Sequence, residues 1–139
     1  MQRIVIDTNV IVSGLIQRSY PYLILNELFL EDKIEICLSD ELVFEYYEVL
    51  HRPKFSRYND FLVRAESLLV QIQSRGKLYY PTQQVQIIKD DDDNMLLELA
   101  EECKADFIIT GNTNDFQIAS YKETQITTPK EYWERFWVK

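Results

Sequence analysis

Three glycines, four prolines, two cysteines and a single histidine are all that the 139 residues hold of those types. So little glycine and proline leaves no linker-like stretch. The chain is expected to form one domain over residues 1–139, long enough to bury about two-thirds of the surface its unfolded form exposes. Nowhere are there the roughly 18 uninterrupted apolar residues that a membrane helix needs. The opening MQRIVIDTNVIVSGLI is apolar enough to suggest an exported leader, but Asp7 and Asn9 interrupt it and no small-residue cleavage site follows. A cytoplasmic protein with no membrane contact is therefore expected. Cys37 and Cys103 have no metal-like spacing and sit among apolar neighbours, so they read as reduced core residues rather than a disulfide. The one histidine, His51, stands beside Arg52, Pro53 and Lys54 at a helix end, where a surface or phosphate-contacting role suits it better than catalysis.

What the chain does have is 46% hydrophobic and 27% charged residues, the balance of a folded protein. Its formal net charge is -8, which by itself opposes nucleic-acid binding, since affinity for phosphates comes mainly from Lys and Arg. That objection weakens if several carboxylates hold metal, because bound divalent ions reverse the local field. A partner with a basic surface would also suit the acidic balance.

Short β-branched runs alternate with helical periodicity. Arg3 to Ile6 reads as a strand covered on both faces, and Ile34 to Leu38 as a second. Between them, Pro21 precedes an apolar-periodic helix from Tyr22 to Leu30, closed at Glu31-Asp32-Lys33. Ser39 or Asp40 can cap the next helix, which runs through Glu45 to Leu50 and stops before Pro53. A further helix covers about Asn59 to Gln73, with Gly76 marking its end. Val85 to Ile88 reads as a short strand or extended loop. Asp90 to Asp93 then leads a helix over Asn94 to Cys103. Phe107 to Thr110 is another strand, Ile126 belongs to a last edge strand, and Pro129 starts a final helix. This alternation predicts an α/β sandwich, a central parallel sheet flanked by helices.

In such sheets ligands bind beyond the carboxyl ends of the strands. Asp7 ends the first strand, and Asn112 and Asp115 follow the strand at Phe107 to Thr110. Asp7 is equally a candidate helix cap. Glu45 lies at the edge of the stripe formed by Leu42, Tyr46, Val49 and Leu50, while Glu41 and Glu48 point away; it either reaches past that edge to solvent or is held there. Asp93 shares the side of Leu96, Leu97 and Ala100, with Glu98, Glu101 and Glu102 opposite. Alternatively, Asp92 or Asp93 caps the helix and the remaining aspartates favour its positive end. Carboxylates gathered within a few ångströms raise one another's pKa, a penalty that a hard divalent cation removes. Such an ion can orient a phosphate and activate water.

Taken together, Ile6-Asp7-Thr8-Asn9-Val10, Leu38 to Leu50 with His51-Arg52-Pro53-Lys54-Phe55, Asp90 to Ala100, and Ala105 to Asn112 form a pattern in order. It resembles the PIN-domain nucleases, especially the small prokaryotic group that includes VapC-type toxins. The resemblance implies a three-layer PIN-like fold and cleavage of RNA phosphodiesters with Mg²⁺ or Mn²⁺. Carried over position by position, it implies that Asp7, Glu45 and Asp93 are the principal metal-binding and catalytic acids. Thr8 and Asn9 would shape the same pocket, and Thr110 would orient ligands or substrate. Many relatives have Asp where this chain has Asn112, so the fourth position falls to Asp115 or to the neutral oxygen of Asn112. Asp91 stands where relatives often have Pro. The resemblance further implies in-line attack by activated water, leaving a 5′-phosphate and a 3′-hydroxyl. A homodimer, and a separate antitoxin that restrains a toxin, are implied in the same way. Arg52, Lys54 and Arg57 form the most compact basic group and can track an RNA backbone or simply solvate a helix end.

Other functions remain compatible with the fold: a noncatalytic PIN-like module that binds RNA or protein, or an RNA-processing nuclease without an antitoxin. A phosphatase would want an aspartate two residues after Asp7, where this chain has Asn9. A receiver domain would need a nucleophilic aspartate after a central strand, which Leu38-Ser39 does not supply.

Overall fold

In a computed structural model that describes residues 1–86, 91–111, 116 and 118–137, strand β1 (Arg3–Ile6) is hydrogen-bonded on both sides. Ile4, Val5 and Ile6 are completely buried, as a strand of consecutive apolar residues should be in a sheet covered on both faces. Its neighbours are β2 (Glu35–Leu38) and β4 (Phe107–Ile109), both parallel to it. Outside β2 lies β3 (Lys77–Leu78), and outside β4 lies β6 (Thr124–Thr127), again parallel. The sheet closes with the antiparallel β5 (Ser120–Tyr121), giving the order β3-β2-β1-β4-β6-β5. Ile126 is therefore in an interior strand and not at the edge as its sequence suggested, because the short hairpin partner takes the edge position.

Helices pack on this mostly parallel sheet, and the α/β class predicted from the sequence is the one observed. Helix α1 (Thr8–Ile16) follows β1 directly and had no counterpart in the periodicity. Thr8, Val10, Ile11 and Val12 are β-branched and poor helix formers, but burial of Val10, Ile11 and Leu15 outweighs a few tenths of a kcal/mol of propensity per residue. Gly14 lets the next helix approach: a Cβ there would lie 2.6 Å from Leu25 Cδ1. That next helix, α2 (Tyr20–Leu23), has Pro21 inside its first turn and continues as a π-helical stretch over Ile24–Phe29, where the Leu30 N–H donates to the Leu25 carbonyl.

Helix α3 (Asp40–Leu50) is capped by Ser39, whose hydroxyl accepts the Leu42 N–H at 3.2 Å, and Asp40 and Glu41 sit favourably at its positive end. A 3₁₀ segment, Pro53–Arg57, leads to α4 (Phe61–Arg75), which buries Phe61, Ala65, Leu68, Leu69 and Ile72. Residues 79–86 then cross α5 (Asp91–Cys103) as a strap without helix or strand; residues 87 and 88 of the expected Val85 to Ile88 stretch lie outside the described residues. Helix α5 packs on β1, β2, β4 and α3. The chain ends in α6 (Pro129–Glu131), whose Thr128 cap accepts the Glu131 N–H, running on as a π-helical turn to Phe136. No helix among the described residues is long and apolar enough to cross a membrane.

Candidate metal centre at the strand ends

The strand order reverses direction at β1. From β1 the chain builds outward through β2 and β3, then returns to the other side of β1 with β4 and β6. The carboxyl ends of β1 and β4 thus flank the topological switch point, where open α/β sheets form their binding crevice. Asp7 occupies that position. Its N–H extends the ladder to the Ile109 carbonyl at 2.9 Å, and its extended backbone (φ -65°, ψ 144°) turns the chain into α1.

Although Asp7 holds the N-cap position of α1, its carboxylate makes no capping bond to the helix. Instead Oδ2 accepts the hydroxyl of Thr110, which follows β4, at 2.8 Å. Asp7 is 8% exposed and Thr110 is fully buried. Placing a carboxylate so deep is unfavourable unless it is hydrogen-bonded or paired with a cation. Each fully buried Ile or Val beneath it stabilises the sheet by roughly 1.5–3 kcal/mol, enough to keep the strand end in place despite that cost.

A second carboxylate is held by the next residue. Thr8, buried in the first turn of α1, donates its hydroxyl to Glu45 Oε2 on α3. Glu45 is half-buried at the border of the stripe formed by Leu42, Tyr46 and Leu50, whereas Glu41 and Glu48 are exposed, as helical geometry predicted. Tyr46, beside it, is completely buried and donates its hydroxyl to the Ile6 carbonyl at 2.5 Å, pinning α3 to the end of β1. Burial raises the Tyr46 pKa well above its ordinary value, and the negative charges of Asp7 and Glu45 push it further the same way. Two carboxylates from different elements thus act on one phenol. Sequence reading had assigned Tyr46 only to the core stripe; its polar tip next to Glu45 was the available signal.

Asp93 lies, half-buried, in the first turn of α5. The helix already includes Asp92 and Asp93, so neither is its cap. Leu96, Leu97 and Ala100 are buried as expected, but so is Leu99, and the opposite side is not simply solvated. The strap covers it: the Val85 N–H donates to Glu98 Oε2 at 2.8 Å, and the Thr82 N–H and hydroxyl donate to Glu102 Oε1 at 3.2 Å. Asn94, next to Asp93, is 4% exposed.

The remaining predicted positions separate. Asn9 is exposed on the first turn of α1. Arg52 pairs with Glu48 at 3.5 Å and lines the same cleft as Glu45. Lys54 lies 5.2 Å from the Phe55 ring centre, and Arg57 stacks on Tyr58 while donating to its hydroxyl at 2.8 Å; neither lines that cleft. Asn112 and Asp115 fall outside the described residues. Among the described residues, no three His, Cys, Asp or Glu side chains form a ready-made metal cluster.

The donor set is nonetheless one-sided in its chemistry. Asp7, Glu45, Asp93, Thr8 and Thr110 offer oxygen, the ligand type of Mg²⁺ and Mn²⁺. The softer donors are elsewhere: Cys37 and Cys103 are buried in the core, and His51 is exposed, bonded to the Tyr47 carbonyl at 2.7 Å and to Glu66 at 3.3 Å. By chemistry these donors suit a hard divalent cation, but among the described residues Asp7, Glu45 and Asp93 do not come together as one cluster.

Comparison with known proteins adds two findings. The family described as PIN domain matches residues 3–114, a span that contains Asp7, Glu45, Asp93 and Thr110 and stops one residue short of Asp115. The uncharacterized protein MJ1680 of Methanocaldococcus jannaschii is 31% identical over 143 aligned positions, covering 96% of this chain and 91% of that protein.

Proposed function

The chain belongs to the PIN-domain family, whose members are nuclease-type proteins, and from that premise we propose that it is a Mg²⁺- or Mn²⁺-dependent endoribonuclease acting as the toxin of a toxin–antitoxin pair. The observation that supports the catalytic part is the Asp7 carboxylate at the switch point, bonded by Thr110 and sharing the Tyr46 hydroxyl's surroundings with Glu45.

In this reading Asp7, Glu45 and Asp93 hold the cation, with Asp115 or Asn112 as the fourth contributor. When bound, the ion supplies positive charge to the phosphate and lowers the pKa of water. Thr110 orients Asp7, and Thr8 fixes the rotamer of Glu45. Arg52, in the Glu45 cleft, offsets phosphate charge on the incoming strand. Water attacks phosphorus in line as the bond to the 3′-oxygen breaks, and the leaving oxygen takes up a proton. The products are a 5′-phosphate and a 3′-hydroxyl. A homodimeric assembly and a separate basic antitoxin, drawn to the net charge of -8, complete the proposal.

The test is digestion of end-labelled RNA by the purified protein with Mn²⁺, Mg²⁺ or EDTA, followed by analysis of the new ends. Internal cuts bearing 5′-phosphates, abolished by EDTA, are expected. RNA that is bound and left intact in both metals would assign the chain to a noncatalytic binding role.

A further inference from the structure

Cys37 and Cys103 stand far apart in the sequence and side by side in the fold. Cys37 lies in β2, and Cys103 is the last residue of α5, which packs on that strand. Both are free thiols buried in the core, 0% and 1% exposed. Arg3 ties the two positions together. Its Nη1 donates to the Cys103 carbonyl at 3.2 Å, and its Nε pairs at 3.5 Å with Glu35 Oε2, the same oxygen that lies 4.0 Å from Cys37 Sγ. A hydrogen bond between the two cysteine side chains completes the arrangement.

Outside the pair, each thiol has only a distant acceptor. Cys37 reaches Glu35 at 4.0 Å and Cys103 reaches the Ala100 carbonyl at 3.9 Å, both long even for sulfur, which is a weak donor. The hydrogen bond with Cys103, then burial, then the negative charge of Glu35 raise the Cys37 pKa above its ordinary value. The closed core therefore suppresses the thiolate. A disulfide carries neither charge nor polar hydrogen and suits the same surroundings better.

We propose that Cys37 and Cys103 form a disulfide that staples the last turn of α5 to β2 when a small-molecule disulfide supplies the oxidising equivalents. One cysteine, as thiolate, attacks a sulfur of the small disulfide and expels half of it as a thiol. The second cysteine attacks the protein sulfur of the mixed disulfide, which closes the Cys37–Cys103 bond and expels the other half. Two protein thiols are thus oxidised by two electrons, and one small disulfide is reduced to two thiols, which take up the two protons. Because the folded core suppresses the thiolate, exchange begins in the chain before α5 docks, and burial then shields the closed bond from reductants. The staple anchors α5 at the end opposite Asp93 and requires no nuclease activity.

The experiment refolds the reduced full chain from denaturant in the presence of oxidised glutathione. Intact mass, alkylation of thiols under denaturing conditions and peptide mapping identify the linkage, and thermal melting compares the oxidised with the reduced protein. Refolding should yield a single chain two hydrogens lighter, with no alkylatable thiol and with the Cys37 and Cys103 peptides joined. The oxidised protein should melt roughly 5–15 °C above the reduced one. Cys37→Ala and Cys103→Ala should each abolish that difference; if either variant fails to fold, the mapped peptide and the wild-type melting difference decide alone. Two free thiols after refolding, glutathione retained on either cysteine, a bond between chains, or an oxidised form that melts no higher than the reduced one would overturn the proposal.

Discussion

The Thr110 hydroxyl donates to Asp7 Oδ2 over 2.8 Å, tying together the carboxyl ends of two neighbouring parallel strands whose bonded residues are 103 positions apart. The bond crosses the switch point of the sheet and fixes which way the Asp7 carboxylate faces. Thr110→Val keeps the volume and removes the donor. Activity and Mn²⁺ affinity should fall about 10- to 100-fold, as for other groups that orient a ligand from behind. Stability should fall by about 1–3 kcal/mol, because a buried acceptor loses its partner. Thr110→Ser should recover most of both, measured by cleavage rate and urea denaturation.

Tyr46 joins α3 to β1 through the Ile6 carbonyl, and its phenol is held neutral first by burial and then by Asp7 and Glu45. Burial likewise raises the Tyr132 phenol, and Tyr79 is pushed up to about 12. Raised folded-state values keep protons on the native protein that the unfolded chain releases above about pH 10. This contribution to stability is therefore complete below pH 10 and declines as pH rises beyond it. Melting temperatures from pH 8 to 11 should fall most steeply above pH 10, and Tyr46→Phe should flatten that fall while costing about 1 kcal/mol at neutral pH.

The proposed cation site predicts that metal stabilises the protein, because carboxylates brought together without a counter-ion oppose folding. At about 100 times its dissociation constant, Mn²⁺ should add roughly 2.7 kcal/mol to the native state in chemical denaturation. Asp93→Asn should lose most of that gain while retaining the fold. An equal gain in the variant would remove Asp93 from the ligand set.

Arg52 shares the cleft of Glu45, whereas Lys54 and Arg57 lie on the rings of their neighbours outside it. Arg52→Ala should weaken RNA binding at low salt and reduce the slope of log affinity against log salt by about 1. Lys54→Ala and Arg57→Ala should change that slope less. A larger effect at Lys54 or Arg57 would move the RNA path to the other side of the 3₁₀ segment.

Much of this arrangement is written locally in the sequence. Arg3–Ile6, Glu35–Leu38 and Phe107–Ile109 are short runs of consecutive apolar residues that suit a doubly covered strand, and Ser39 and Pro53 bracket α3 by cap and stop. Helix α1 was hidden because its β-branched residues contradict its conformation, which tertiary burial imposes. Strand β3 was hidden because it comprises Lys77 and Leu78 alone, both exposed, a pair with no pattern of its own. Within the site, Asp7 and Glu45 could be singled out by strand end and helix face. The bonds from Thr110 to Asp7 and from Thr8 to Glu45 depend on sheet order and on how α3 meets α1, which no local pattern specifies. The strap's hold on Glu98 and Glu102 was likewise invisible, since those glutamates looked like a solvated helix face.

The most direct measurement is the rate of Mn²⁺-dependent RNA hydrolysis by Asp7→Asn, compared with wild type after both show the same circular dichroism and melting profile in EDTA. A carboxylate that holds the cation at the switch point predicts a loss greater than the roughly hundredfold cost of disturbing an outer partner. Hydrolysis at the wild-type rate by the substituted protein, with contaminating nuclease removed, would contradict it.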